Sequence, residues 1–239
     1  MINKKKSSKK IVAIVPAAGI GIRMNSDLPK QYLLVAGKTI IEHTIYTLLL
    51  NKNIKFIVVV LNVNDRIFCN LDIVKNSKII TVIGGKERSD SILAGLNFLF
   101  SNFYDYWVLI HDAVRPCLHQ DDLNKLFRIT VNGNCCGGIL GIPVRDTIKC
   151  SFKNYQNIRY TIDRKNLWYS LTPQIFPLSL LRYCLLNLKK KIFTDESSVL
   201  EYYGYNPIIV IGRTDNLKVT YPEDLLLVEF YLLKMNIWK

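Results

Sequence analysis

No run of apolar residues in this chain approaches the ~18 that a membrane-spanning helix requires; stretches such as FIVVVL at residues 56–61 are typical of the longest. No C-x-x-C pair occurs among the six cysteines, at positions 69, 117, 135, 136, 150 and 184, and two of them are adjacent. That scatter excludes the usual zinc spacings and a disulfide framework, and it fits reduced thiols of a cytoplasmic protein. Internal repeats and low-complexity linkers are missing too, so 239 residues with 49% apolar content suit one domain with its own core. Acidic residues are short, 19 against 32 basic ones, which leaves a net charge of +13. Yet no recognition helix, zinc finger or aromatic ribonucleoprotein signature accompanies the charge, so a nucleic-acid partner is not expected. With 22 Lys to 10 Arg, 29 Ile and 20 Asn, the excess reads chiefly as AT-rich coding bias on solvated surface, with a smaller share that attracts anionic small molecules.

The start, MINKKKSSKKIVAIVPAAG, has the outline of a secretory signal. Pro16 interrupts its apolar run, and cleavage near Ala18 would remove the first strand. Residues 1–10 are therefore expected to be a basic, disordered tail and 11–239 a single domain.

Short β-branched runs at 11–17, 56–62, 79–84, 106–112, 138–144 and 208–211 alternate with helically spaced segments at 40–50, 91–100 and 121–131. The pattern predicts an α/β fold, a mostly parallel sheet with helices on both faces. A last helix is expected over 225–233, with Pro222 in its first turn and Glu223 and Asp224 at its positive end. Between residues 145 and 168 the alternation breaks. Two β-like pieces, 147–150 and 158–162, flank a polar turn and predict a protruding hairpin arm, which needs something to pack on.

In such a sheet, ligands bind where loops leave the carboxyl ends of the strands. The first loop, AAGIGIRMNSDLPK, completes neither common phosphate signature: no Gly-Lys-Ser/Thr follows it, and Met24 takes the place of the third glycine of a dinucleotide fingerprint. Asn62 stands where a nicotinamide-binding fold needs an acid, which argues against a dehydrogenase. What the loop does offer is small residues around two cations, Arg23 and Lys30, an arrangement suited to a polyphosphate. At an effective dielectric of ~20 a cation 4 Å from an anionic oxygen is worth about 4 kcal/mol. Asp112, closing WVLIHD, could hold Mg²⁺, which takes one or two carboxylates and leaves its other positions to phosphate and water. His111 reads as a packed structural residue, and His43 and His119 as helix-face and surface residues.

Taken in order, PAAGIGIRMNSDLPKQYL, GGKERSDSILAG, HDAVRPCL, PVRDTIK, YTIDRKNLWYSLTPQ, FTDESSVLEYYG and DNLKVTYPEDL resemble the successive motifs of the 2-C-methyl-D-erythritol 4-phosphate cytidylyltransferases of the non-mevalonate isoprenoid pathway. The resemblance implies a Rossmann-like domain of the nucleotide-diphospho-sugar transferase type, Mg²⁺ as cofactor, and CMP transfer from CTP to methylerythritol phosphate. It implies catalytic roles for Arg23, Lys30, Asp112 and Lys218, the first two stabilising charge on the triphosphate and Asp112 lying beside the metal. Ala17, Ala18, Gly19, Gly85 and Ser91 would hold CTP. Asp112, Arg115, Thr147, Arg164, Thr172, Thr194 and Lys218 would hold the acceptor, with Thr147 and Arg164 reaching from the interlocked arm of a homodimer partner. Lys86 departs from the family, where Asp is common, and HDAVRP replaces the commoner HDAARP. The valine also occurs in pentitol-phosphate cytidylyltransferases, which stand as the alternative; TIDRKNLW followed by LTPQ favours the methylerythritol enzymes.

Overall fold

Strand β1 (Ile11–Pro16) is buried on both faces, Ile11, Ala13 and Val15 entering one apolar cluster and Val12 and Ile14 the other, so the chain is built outward from it in two layers. The structure, a computed structural model, describes residues 10–19, 28–131, 135–153, 157–188 and 193–235. A small ribbon, β2 (Leu34–Val35) and β3 (Lys38–Thr39), leads into α1 (Ile40–Leu49), β4 (Ile54–Leu61), β5 (Ile79–Ile83) and α2 (Arg88–Phe103). Then come β6 (Trp107–Ile110), α3 (Gln120–Arg128), β7 (Gly138–Pro143) and the hairpin β8 (Ile148–Ser151) and β9 (Ile158–Ile162). The chain closes with β10 (Trp168–Pro177), α4 (Leu178–Leu186), α5 (Glu196–Tyr202), β11 (Ile208–Ile211) and α6 (Asp224–Met235).

Among the described residues the main sheet has seven strands in the order β11-β7-β10-β6-β1-β4-β5. Every neighbouring pair is parallel except the two made by β10, which runs against β6 and β7. The chain steps from β1 outward to β4 and β5, then returns to place β6 on the other side of β1. That reversal opens a crevice at the carboxyl ends of β1 and β6, the place where open α/β sheets bind ligands. Helices α1 and α3 supply Ile41, Ile45, Leu48, Leu123 and Leu126 to one face, and α2, α4 and α5 supply Ile92, Leu96, Leu181, Val199 and Leu200 to the other. A third cluster, including Val114, Val219 and Val228, seats α6 beside the crevice.

All six expected strands form, and the hairpin is a separate two-stranded sheet. Besides the short ribbon β2–β3, three larger elements fall outside the sequence expectation: β10, α4 and α5. In β10 the run WYSLTPQIFP carries Pro173 at its middle, which argues against a central strand. The strand tolerates it because residues 171–173 stand outside both ladders, the register against β7 shifting between Ser170 and Gln174. Pro222 lies before the last helix rather than in its first turn, since α6 starts at Asp224. The basic tail, up to Lys9, and the lysine run at 189–191 lie outside the described residues.

Helix α2 touches the sheet through Gly95, where a Cβ would lie 3.1 Å from Ile14 Cδ1 and 3.3 Å from Val60 Cγ2. Gly95→Leu is expected to overpack this contact and cost about 1–3 kcal/mol. For a chain of this size that is roughly 3–10 °C in Tm, measurable by thermal denaturation; an unchanged Tm would show that the helix can ride further from the sheet.

Candidate active site

Beyond β1 the chain continues one step along β4, the Ala17 N–H donating to Val60 O at 2.8 Å. Gln31 Nε2 donates to Ala17 O at 2.8 Å and to Gly19 O at 3.1 Å, and Asn62 Nδ2 to Ala18 O at 3.2 Å. Three successive carbonyls are thus tied down by two side-chain amides, which pins the entry to the small-residue loop. Asn62, which replaces the acid of a dinucleotide-binding fold, has a positive job here.

After β5 the turn is equally constrained. A Cβ at Gly84 would lie 2.6 Å from Ser91 Oγ, and one at Gly85 would lie 2.3 Å from Asp90 Cβ, so only glycine lets the turn approach α2 this closely. A reciprocal cap between Glu87 and Asp90 starts the helix. The Ser91 hydroxyl lies 3.2 Å from Glu87 O and 3.4 Å from Gly85 O. One residue into α2, this geometry delivers Arg88 to the crevice.

Asp112, at the end of β6, is the centre of the charge arrangement. Its Oδ1 accepts from Arg88 Nη2 at 3.1 Å, while Oδ2 lies 2.8 Å from Lys218 Nζ and 3.7 Å from Arg115 Nε. Burial by itself would raise the Asp112 pKa, but Arg88, Lys218 and Arg115 hold it well below the usual carboxylate range. The segment that carries Lys218 is fastened at three points: Val219 N–H to Val114 O at 2.9 Å, Arg115 Nη1 to Asn216 O at 2.7 Å, and Asn216 Nδ2 to Thr172 O at 2.8 Å. Thr172 closes the ring, its Oγ1 accepting the Asp112 N–H at 3.1 Å.

Two adjoining cavities share Arg88, Asp112 and Lys218. One is lined by Ala17, Ala18, Gly19, Lys30, Gly85 and Ser91, together with the departing residue Lys86. The other is lined by Arg115, Thr172 and Thr194. The structure therefore brings together most of the expected residues, sorted into the two groups that a two-substrate reaction needs. Thr147 and Arg164 are exposed on the arm and line neither cavity of their own chain; the Arg164 Nη1 donates to Arg145 O. Arg23 lies outside the described residues. The sequence reading assigned no site role to Gln31, Asn62, Arg88 or Glu196, although Gln31, Arg88 and Glu196 sit in the motifs PKQYL, GGKERSDSILAG and FTDESSVLEYYG.

A family model, IspD: 2-C-methyl-D-erythritol 4-phosphate cytidylyltransferase, matches residues 11–234. This chain belongs to that family. The cytidylyltransferase of Photorhabdus laumondii is 55% identical over 235 residues, 95% of this chain and 96% of the relative. That of Yersinia pseudotuberculosis serotype I is 50% identical over 234 residues, 97% and 95% of the two chains. A crystal structure of a 4-diphosphocytidyl-2C-methyl-D-erythritol synthase superposes with a TM-score of 0.81 at 30% identity, covering 94% of this chain and 99% of the other. The Francisella tularensis cytidylyltransferase gives 0.78 at 35% identity, covering 93% and 99%. As a cytidylyltransferase the chain is an enzyme with an α/β sheet of the expected kind. Among the described residues no helix is long and apolar enough to cross a membrane, and no group of three or more His, Cys, Asp or Glu could hold a metal.

None of the three histidines lines either cavity of this cytidylyltransferase. His43 is buried in α1 against Val35 O at 2.7 Å, and His119 lies 3.4 Å from Asp215. His111 is fully buried, its Nδ1 3.0 Å from Thr172 Oγ1 and its Nε2 3.1 Å from Arg115 O. Because the Thr172 oxygen already accepts from Asp112, its hydroxyl proton is free to go to Nδ1, which fits a neutral ring with the proton on Nε2. Burial pushes the His111 pKa down to about 4 against an ordinary 6.5. A base whose folded pKa is depressed contributes stability above its unfolded pKa and loses it as pH falls towards the folded one. Stability is thus expected to fall by up to about 3 kcal/mol between pH 7 and pH 4.5, and His111→Gln to flatten that dependence. Urea midpoints across this range check it; equal slopes for the two proteins would remove His111 as the cause.

Proposed function

We propose that the chain transfers CMP from CTP to 2-C-methyl-D-erythritol 4-phosphate, releasing pyrophosphate. The observation that carries this reading is the pair of cavities meeting at one ionised carboxylate, Asp112, with a lysine-lined side and an arginine-and-threonine side. The family's named activity requires two anionic substrates to meet at one phosphorus, and this geometry suits that requirement.

In the transfer, an oxygen of the acceptor's phosphate forms a bond to the α-phosphorus of CTP. The bond from that phosphorus to the bridging oxygen breaks, and pyrophosphate leaves with the electron pair. The nucleophile is already an anionic oxygen, so no general base is needed, in keeping with three histidines that face elsewhere. On this reading Ala17, Ala18, Gly19, Gly85 and Ser91 hold CTP, and Lys30 and Arg23 balance the charge that grows on the leaving group. Arg115, Thr172, Thr194 and Lys218 receive the acceptor. Lys218, 40% exposed while touching Asp112, can reach a phosphate from the same position.

A single ionised carboxylate at the edge of a phosphate-sized cleft fits Mg²⁺, whose other positions go to phosphate oxygens and water, so Asp112 is the residue that would hold it. Bound there, the ion would neutralise charge on the triphosphate and polarise the phosphorus under attack.

The reading includes a homodimer. Ile158, Tyr160, Trp168 and Tyr169 on and beside the arm are 37–64% exposed, apolar area that a partner subunit would cover. Thr147 and Arg164 would then complete the acceptor side of the partner's site.

Pyrophosphate release is expected from CTP with methylerythritol phosphate and Mg²⁺, and not from ATP or GTP; equal turnover with ribitol phosphate would transfer the enzyme to the pentitol class. Lys30→Ala is expected to lower kcat by at least about 10²-fold while leaving acceptor binding nearly unchanged, because its charge is needed most in the transition state. Near-normal kcat would make Lys30 a bystander.

For the shared site, Lys30→Ala and Arg164→Ala chains, each inactive alone, are dissociated, mixed and reassociated. About half of the dimers are then mixed, each with one intact site in two, and activity should return to about a quarter of the parent's. Mixed dimers that form yet stay inactive would place Arg164 outside the partner's site.

A further inference from the structure

Among the described residues, Glu196 is a buried carboxylate beside the site that the transfer step leaves unused. Its side chain is 3% exposed, and both of its carboxylate oxygens accept from Arg88, Oε1 from Nη1 and Oε2 from Nη2 at 3.2 Å. The same Nη2 donates to Asp112 Oδ1 at 3.1 Å. Arg88 is therefore clamped edge-on between two carboxylates, one at the junction of the two cavities and one behind it. The rear anchor is stiff. Asp195, next to Glu196, accepts from Ser198 N at 3.0 Å, Ser170 Oγ at 2.6 Å and Gln174 Nε2 at 2.9 Å, which fixes the start of α5 to β10.

Buried ion pairs of this kind contribute little net stability compared with apolar packing of the same volume, because both charges lose their water. The value of this pair lies in what it does to Arg88. A guanidinium facing a lone carboxylate favours the bidentate fork, one nitrogen on each oxygen. Applied to Asp112, that fork would take Oδ2 from Lys218 as well as Oδ1. With Nη1 held by Glu196, Arg88 reaches only Oδ1, and Oδ2 is left to Lys218 Nζ at 2.8 Å. The count of charges points the same way: three cations, Arg88, Arg115 and Lys218, face Asp112, and Glu196 is the second anion among them.

We infer that Glu196 is a positioning residue for nucleotidyl transfer, acting through Arg88 to hold that arginine to a single contact with Asp112. The assignment rests on the CMP-transfer reading. Its test is a double-mutant cycle with Glu196→Gln, Arg88→Met and both together, measured as kcat and KM for pyrophosphate release, with Tm recorded for each protein.

Glu196→Gln is expected to lower kcat at least tenfold, and the double variant to match Arg88→Met within about threefold, since without Arg88 the glutamate has nothing to hold. Calorimetric titration of CTP in the presence of a chelator supplies a readout independent of turnover. Glu196→Gln should bind metal-free CTP at least as tightly as the parent, because it removes a buried negative charge from behind the cleft. Should Glu196→Gln fail to fold, Glu196→Asp, one methylene shorter, is read in the same two assays: kcat is expected to fall at least tenfold through the lost reach to Arg88, with metal-free CTP binding unchanged because the charge is kept.

Losses that add in the cycle, a lowered Tm with unchanged kcat and KM, or weaker metal-free CTP binding would each overturn the assignment. A parent protein that turns over beside an equally active Glu196→Gln variant fails the assignment alone. A parent that releases no pyrophosphate fails the reading of the reaction, and the assignment with it.

Discussion

Everything around the crevice is arranged so that one carboxylate can stay ionised where water hardly reaches it. Taking Asp112 out of water costs several kcal/mol, and each cation about 3 Å away returns roughly 5 kcal/mol of gross attraction at an effective dielectric of ~20. One partner would suffice to offset the burial. Three are present, drawn from positions 88, 115 and 218, and on the proposed reading the excess of positive charge suits the junction to phosphates rather than to a structural ion pair alone. Each cation arrives by a different route: at the head of a capped helix, on the turn after β6, and on a strap fastened to Val114 and Thr172. The topology reversal between β4 and β6 brings the routes to one point.

Rigidity is supplied by neutral groups instead. Gln31 and Asn62 hold three consecutive carbonyls of the first loop, Thr172 holds the Asp112 amide and the His111 ring, and Gly84 and Gly85 allow the second loop to press against α2. None of these contacts alters the charge of the cleft. Preorganised, uncharged supports leave the field to the cations and remove the cost of reorienting the loops when substrate arrives. The substitution of Lys86 for the family's commoner Asp adds one more positive side chain to the cleft lining, while the backbone turn it belongs to is set by its glycine neighbours.

What could be read in the sequence followed from periodicity and from composite motifs. Strands such as 11–17 and 56–62 are β-branched runs between turn residues, and they formed where expected because a strand buried on both faces has no other pattern to show. The strand β10 escaped because its pairing is interrupted at Pro173, and the interruption is harmless only in the presence of β6 and β7, which no local pattern reveals. Its reversal of direction matters, since it places Thr172 beside Asp112 at the rim instead of at the opposite end of the sheet. Lys30, Asp112 and Lys218 were legible as cations or acids within long, ordered motifs. Arg88 and Glu196 stood in such motifs too, but their pairing was not legible, because a salt bridge spanning 108 residues leaves no spacing to recognise.

The silence of the histidines completes the chemical account. An enzyme that had to remove a proton from a hydroxyl would need a base near neutral pKa in the cleft. Here His111 lies one residue from the central carboxylate, yet both of its nitrogens are engaged inward, and burial keeps it neutral across the physiological range. A neutral ring adds no further positive charge next to Arg88, Arg115 and Lys218, and its bond to Thr172 orients the hydroxyl that receives the Asp112 amide. The histidine thus serves the carboxylate rather than the substrate, as suits a reaction whose nucleophile arrives already deprotonated and whose barrier is lowered by placement and charge.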